Sequence, residues 1–165
     1  MIKRSILYPL LVAICLPVTA YAQAQVAFGG LKHDSSLPIE ISADQLAVDQ
    51  ASGSATFSGN VMIGQGEMRL SAGKVRVEYA TGTDTTGEIS RLHATGGVTL
   101  VNGAEAAEAR EAVYTIASGV VVMTGGVILT QGQNALSSEK LTVNLKSGTG
   151  QMDGRVKSII QTGSN

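Results

Sequence analysis

The sequence predicts an all-β protein, an elongated array of many short strands built from internal repeats. Three observations carry that reading. Apolar residues recur at every second position over most of the chain, which puts alternate side chains on opposite faces of a strand. The stretch FSGNVMIGQGEMRLSAGKVRVEY, Phe57 to Tyr79, returns 66 residues later as MTGGVILTQGQNALSSEKLTVNL, Met123 to Leu145. The 165 residues include 20 glycines, all of them after residue 22, a frequency that argues against long helices and for many turns.

The first residues read as a targeting signal. Lys3 and Arg4 precede a mostly apolar run, Ile6 to Val18, broken by Pro9 and Pro17. Ala20-Tyr21-Ala22 then offers small residues at the two positions a signal peptidase reads. The run is short for a membrane span, so residues 1–22 are expected to be a cleaved signal peptide and the product to be exported. Cys15, the one cysteine, lies inside this run behind Ile14, where a lipidation site would need a small residue. The mature chain therefore has no disulfide, and packing with backbone pairing must hold it together. Without Lys3 and Arg4 it has ten basic and thirteen acidic residues, a net charge of −3. That balance argues against nucleic acid as a partner and against a polybasic membrane patch.

Residues 23–36 are small and polar, with Gly29-Gly30 and no periodicity, and are expected to form a flexible segment. Residues 37–165 read as one domain. Ile39 and Ile41 alternate with Glu40 and Ser42, and Leu46 and Val48 follow a phase slip at Asp44-Gln45. Ala55, Phe57, Gly59, Val61 and Ile63 share a face. After a slip at Gln65-Gly66 come Met68, Leu70 and Ala72, and after another at Gly73-Lys74 come Val75, Val77 and Tyr79. A one-residue slip at glycine or a polar pair is the mark of a bulge or corner in a bent strand.

The repeat aligns Gly59 with Gly125, Val61 with Val127, Ile63 with Leu129, Gln65-Gly66 with Gln131-Gly132 and Val77 with Val143. A weaker copy, offset by 37, aligns Val61 with Val98, Ile63 with Leu100 and Val77 with Tyr114. Ile89, Leu92 and Thr95-Gly96 recur 67 residues on as Val156, Ile159 and Thr162-Gly163. A unit that cannot bury its own apolar face does so by stacking on its neighbours, which explains the repetition. GAEAAEAREA, Gly103 to Ala112, has strong helix propensity, but its length makes a marginal helix and the repeat aligns it with strand. Strand is expected there, with helix left open. ATGTDTTGE, Ala80 to Glu88, reads as a loop.

No catalytic constellation emerges. His33 lies in the N-terminal segment, and His93 has nothing at metal-ligand spacing. Asp44 and Asp49 flank a corner, and Glu105, Glu108 and Glu111 read as a solvated face. Arg69, Lys74 and Arg76, echoed by Lys140 and Lys146, fit a soluble outer face better than an anion site. No cofactor, metal or enzymatic activity is expected.

Within Ile41 to Tyr79, the letters Ala43-Asp44-x-Leu46, Gly59-Asn60-Val61, Gln65-Gly66 and Leu70-x-Ala72-x-Lys74-Val75 stand in distinctive order and spacing. They resemble the OstA-like unit of the LptA family of periplasmic lipopolysaccharide transport proteins, and the likeness runs from about Leu37 to Gly163. Gly73, where the family usually has an acid, and the degraded middle copy depart from it. The resemblance implies a V-shaped β-jellyroll in the periplasm that binds lipopolysaccharide by the acyl chains of lipid A and joins head to tail. It also implies edge-strand addition to an inner-membrane transporter component and an outer-membrane assembly protein.

On that reading the groove is lined from the first copy by Phe57, Val61, Ile63, Leu70, Val75, Val77 and Tyr79. The middle copy would supply Val98, Leu100, Tyr114 and Ile116. The last would supply Met123, Val127, Leu129, Leu136, Leu141, Val143 and Leu145. Leu37, Ile39 and Ile41 at one end, and Ser158, Ile159, Ile160 and Thr162 at the other, would be the assembly edges. Composition alone does not separate a groove from a closed core. A membrane-anchored partner of the same pathway, a structural β filament and, least favoured, a β-solenoid polysaccharide-active enzyme remain alternatives.

Overall fold

The computed structural model describes residues 24–27, 34, 36–81 and 87–161. The expected signal peptide lies outside the described residues. Eleven strands form one antiparallel sheet, and no described residue is helical. They are β1 (Ala24–Ala27), β2 (Glu40–Ser42), β3 (Gln45–Asp49), β4 (Ser54–Gln65), β5 (Met68–Tyr79) and β6 (Ile89–Asn102), followed by β7 (Glu105–Thr115), β8 (Val120–Gln131), β9 (Asn134–Asn144), β10 (Thr149–Asp153) and β11 (Lys157–Ile159). Strands β4 to β9 run as a meander, each beside the next in sequence. At one border, β3 covers Ser54–Ser58 of β4 and β2 covers Met62–Gly64. At the other, β10 covers Lys140–Asn144 of β9 and β11 covers Ala135–Ser137.

Every long strand bends near its middle, and the bend is built in two alternating ways. β4, β6 and β8 each insert two residues, Gly59-Asn60, Gly96-Gly97 and Gly125-Gly126, and all six have positive φ. β5, β7 and β9 each insert one, Gly73, Arg110 and Glu139. Two residues on one strand then oppose one on its neighbour, and the unpaired extra residue bends the strand and increases its twist. Glycine serves the left-handed positions because it lacks the Cβ that clashes there. A side chain of the adjacent strand or connection fills the freed space. A Cβ on Gly59 would collide with the Asp44 carboxylate, and Asp44 is held by its backbone N–H to Gly59 O (2.9 Å) and by Asn60 Nδ2 (2.8 Å). Gly125 lies likewise under Arg110, whose Nε donates to Gly125 O at 3.1 Å. Gly73 and Gly96 press backbone on backbone, so that a Cβ on Gly73 would sit 3.1 Å from Gly96 O.

These bends fold the sheet onto itself. The ladder puts Gln65 opposite Met68; extended by one residue beyond Arg69↔Val101, it puts Met68 level with Asn102, which pairs with Glu105. In a flat sheet Tyr114 would lie nine residues further along β7 from Glu105, about 30 Å away. Instead, Tyr114 Oη donates to Gln65 Oε1 at 3.1 Å. The strand halves before and after the bends therefore form two leaves facing each other, the β-jellyroll that the resemblance implies. Between the leaves lies one continuous core that includes Val61, Ile63, Leu70, Val75, Val77, Leu92, Leu100, Met123, Leu129, Leu141 and Val143.

Several expectations meet the structure directly. Gly103 to Ala112 is strand from Glu105 on, so tertiary pairing on both sides overrides helix propensity. The slip at Gln65-Gly66 is a two-residue hairpin loop, Gly66-Glu67, rather than a bend within a strand, and Gly103-Ala104 and Gly132-Gln133 repeat it. Ala80 and Glu88 close the expected loop with a 2.8 Å backbone hydrogen bond, while residues 82–86 lie outside the described residues. Within the segment expected to be flexible, Ala24–Ala27 pairs with β10, whose outer edge otherwise offers unpaired backbone groups.

Candidate functional site

The candidate site is the interior between the leaves, together with the sheet borders. Of the residues expected to line a groove, Val61, Ile63, Leu70, Val75, Val77, Val98 and Leu100 are buried. So are Tyr114, Met123, Val127, Leu129, Leu141, Val143 and Leu145. Phe57, Ile116 and Leu136 are half-buried and pack against this core. Tyr79, the last residue of β5, is exposed, and Ser90 is the extra residue on the partner strand β6 there. In this closed arrangement the side chains of the two leaves fill the space between them.

The expected groove lining leaves out some interior residues. Ala55, Met68, Ala72, Leu92, Ala94, Ala107, Ala112, Val121 and Met152 are buried with the rest. Two alanines of β7 pair with bulkier neighbours, Ala107 between Leu100 and Leu129 and Ala112 beside Met123. Gln65 and Asn102 are buried too, at 1% and 2% exposure. Gln65 has the parity of Val61 and Ile63, a signal that already turns it inward. Gln65 Nε2 donates to the Leu37 carbonyl at 2.8 Å while its Oε1 accepts from Tyr114. Burial pushes the Tyr114 phenol above its ordinary pKa, because the phenolate would lose its hydration.

The borders differ from each other. β2 and β3 have no strand on their outer side among the described residues, nor does β11. Leu37 is exposed, and Ile39 and Ile41 are half-buried beside a hollow of about 350 Å³ lined by residues that include Ile41, Met62 and Arg69. Ser158, Ile159 and Ile160 are exposed, Ile159 by 68%. Thr162 lies outside the described residues. Leu46 and Val48, exposed by 56% and 66%, add to the N-terminal border.

The basic residues do not form one group. Arg69 Nη1 donates to the carbonyls of Gly66 and Met68, whereas Lys74 and Arg76 lie beyond the bend on the other leaf. Lys146 Nζ donates to Ala117 O. Asp49 holds the turn after β3 by accepting from the Ser52 hydroxyl and the Ser52 and Ala51 N–H groups, which lower its pKa. His93 lies 3.8 Å from Glu111. Among the described residues no three His, Cys, Asp or Glu side chains could hold a metal.

Comparison with known proteins agrees with this architecture. A curated, uncharacterized protein of Rhizobium meliloti (strain 1021) is 31% identical over 98 residues, which are 57% of this chain and 53% of that protein. The chain thus spans about half the length of the curated relative it matches. The crystal structure of LptH, the LptA-homologous periplasmic component of the lipopolysaccharide transport device of Pseudomonas aeruginosa, superposes with a TM-score of 0.69. At 18% identity that match covers 78% of this chain and 99% of LptH, and it shows the same fold. The family described as LptA/(LptD N-terminal domain) LPS transport protein matches residues 40–149, from β2 to the start of β10. With two thirds of its length carrying that family's pattern on that family's fold, the chain belongs to the LptA/LptD N-terminal domain family of lipopolysaccharide transport proteins.

Proposed function

We propose that this chain is a non-catalytic periplasmic carrier that shelters the acyl chains of lipid A between its two leaves while lipopolysaccharide passes from the inner to the outer membrane. The observation that carries this reading is the unbroken apolar interior, which extends across every strand from β4 to β10 and meets open sheet edges at both borders. Each methylene exposed to water costs about 0.8 kcal/mol. An acyl chain of about a dozen methylenes would cost on the order of 10 kcal/mol, so a covered path is required. The leaves part to admit the chains, and the lipid replaces side-chain contacts that the closed state makes with itself. The open edges of β2, β3 and β11 take further strands by backbone pairing, from a second copy or from transporter and assembly components in the two membranes. A head-to-tail contact of this kind does not close on itself and extends the interior from copy to copy. Direction must come from elsewhere, from a component that uses an energy source.

A photoreactive residue placed at Phe57, Val77 or Leu129, with Arg76 as the outward control, tests the reading with purified lipopolysaccharide. Adducts at the three inward positions and none at Arg76 are expected. Adducts at Arg76 equal to those inside, or none inside, would overturn it.

A further inference from the structure

The apolar interior has a polar margin that the repeat wrote three times. Gln65, Asn102 (37 residues on) and Gln131 (66 residues on) hold the same place in the three copies. Their parity with Ile63, Leu100 and Leu129 turns them toward the inside, where Gln65 and Asn102 are buried and Gln131 is half-buried. A buried polar group that loses its partner is destabilising. A core needing only to stay dry would carry Leu or Met at these places.

The ladder sets the three in one row across the sheet, a polar shelf. Gln65 pairs with Met68, and on the far side of Met68 Asn102 pairs with Glu105, and Glu105 with Gln131. Gln131 Nε2 donates to Glu105 Oε1 at 2.9 Å, and Glu105 Oε2 is buried with no hydrogen-bond partner. From the facing leaf, Tyr114 Oη reaches Gln65. The Tyr114–Gln65 bond thus spans the gap that an incoming acyl chain must enter.

We propose that this shelf selects acyl chains bearing a hydroxyl or an amide N–H near their headgroup end, and orients them with that end against Gln65, Asn102 and Glu105. The inference rests on the carrier reading above. Parting the leaves breaks the Tyr114–Gln65 bond. A plain hydrocarbon chain leaves both groups without that partner in a dry site, whereas a hydroxyl or amide replaces the lost bond and can donate to Glu105 Oε2. Sites of this type discriminate because the wrong ligand strands buried polar groups. Ordinary diacyl phospholipids, whose chains lack such donors, are thereby disfavoured.

A matched pair of dansyl-labelled fatty esters, which have no amide N–H at the acyl linkage, tests this, alike except that one carries a β-hydroxyl on its acyl chain. Fluorescence titration of the purified protein should show the hydroxylated probe bound about tenfold tighter, the ratio that ~1.4 kcal/mol corresponds to. Gln65→Leu should erase most of that preference, and so should Tyr114→Phe, which removes a single oxygen and serves if the first variant fails to fold. Equal binding of the two probes by the unmodified protein, or an undiminished preference in a folded variant, overturns the selector alone. Binding of neither probe overturns the carrier reading and the selector with it.

Discussion

The bend at Gly59 can be dissected by a double-mutant cycle with Asp44. Gly59 has φ +77°, and a Cβ there would occupy the space of the Asp44 carboxylate. Gly59→Ala thus carries two penalties. The left-handed backbone costs an L-residue about 1–2 kcal/mol. Displacing Asp44 loses its bond from Asn60 Nδ2, exposed and worth about 1 kcal/mol net. The total expected is about 2–3 kcal/mol, a drop in melting temperature of roughly 2–4 °C for each kcal/mol at this size. In an Asp44→Ala background the second penalty has already been incurred, so Gly59→Ala should cost only about 1–2 kcal/mol. The coupling of about 1 kcal/mol is read from urea unfolding of the four proteins followed by far-UV circular dichroism. Additivity within about 0.5 kcal/mol would refute the idea that Asp44 is seated in the space the glycine leaves.

The other bends and borders make further predictions. Gly97 has φ +82° with nothing within 4 Å of an added Cβ, whereas at Gly96 the Cβ would lie 3.3 Å from the Gly73 Cα. Gly97→Ala should therefore cost only the backbone penalty and Gly96→Ala measurably more, as compared by urea midpoints; equal costs would refute the close approach. Burial raises the Tyr114 pKa above its ordinary 10.0, so the folded state holds its stability below that pH and loses it as pH rises from there toward the folded value. Tyr114→Phe should flatten this part of the alkaline decline in stability, and an identical decline in both proteins would count against a buried phenol. Deleting Ser158 onward removes most of β11 and should abolish concentration-dependent assembly in analytical ultracentrifugation; assembly that persists would remove that border from the docking surface.

Much of the fold was legible in the sequence because a strand's period is two and the repeat showed where each period began again. The run from Met68 to Val77 can be read directly, including the slip at Gly73, since a one-residue insertion moves the apolar letters from even to odd positions. The bends of β4, β6 and β8 leave no such trace. Gly59-Asn60, Gly96-Gly97 and Gly125-Gly126 each insert two residues, so parity is kept and Gly59 reads as one more member of an unbroken face. Gly66 read as a slip like that at Gly73 but lies in a hairpin loop, because a two-residue loop shifts the alternation just as a one-residue insertion does. Burial of Val61, Val77 and Leu129 followed from alternation, whereas Tyr79 shares their alternation and is exposed at the end of its strand, where only the partner strand shows how far the cover reaches.

By itself, the sequence determined that the repeated region from residue 37 on is all-β, which side chains alternate toward a common inside, and that three similar units share it. These are local properties, set by the two-residue pleat and by glycine's access to left-handed backbone. Only the tertiary structure decided that the inside is a closed space between two leaves, that Tyr114 crosses it to Gln65, and which strand edges are left open. Those depend on how bulges in six neighbouring strands line up across hydrogen-bond ladders, a relation between residues far apart in the chain that no single stretch of letters carries.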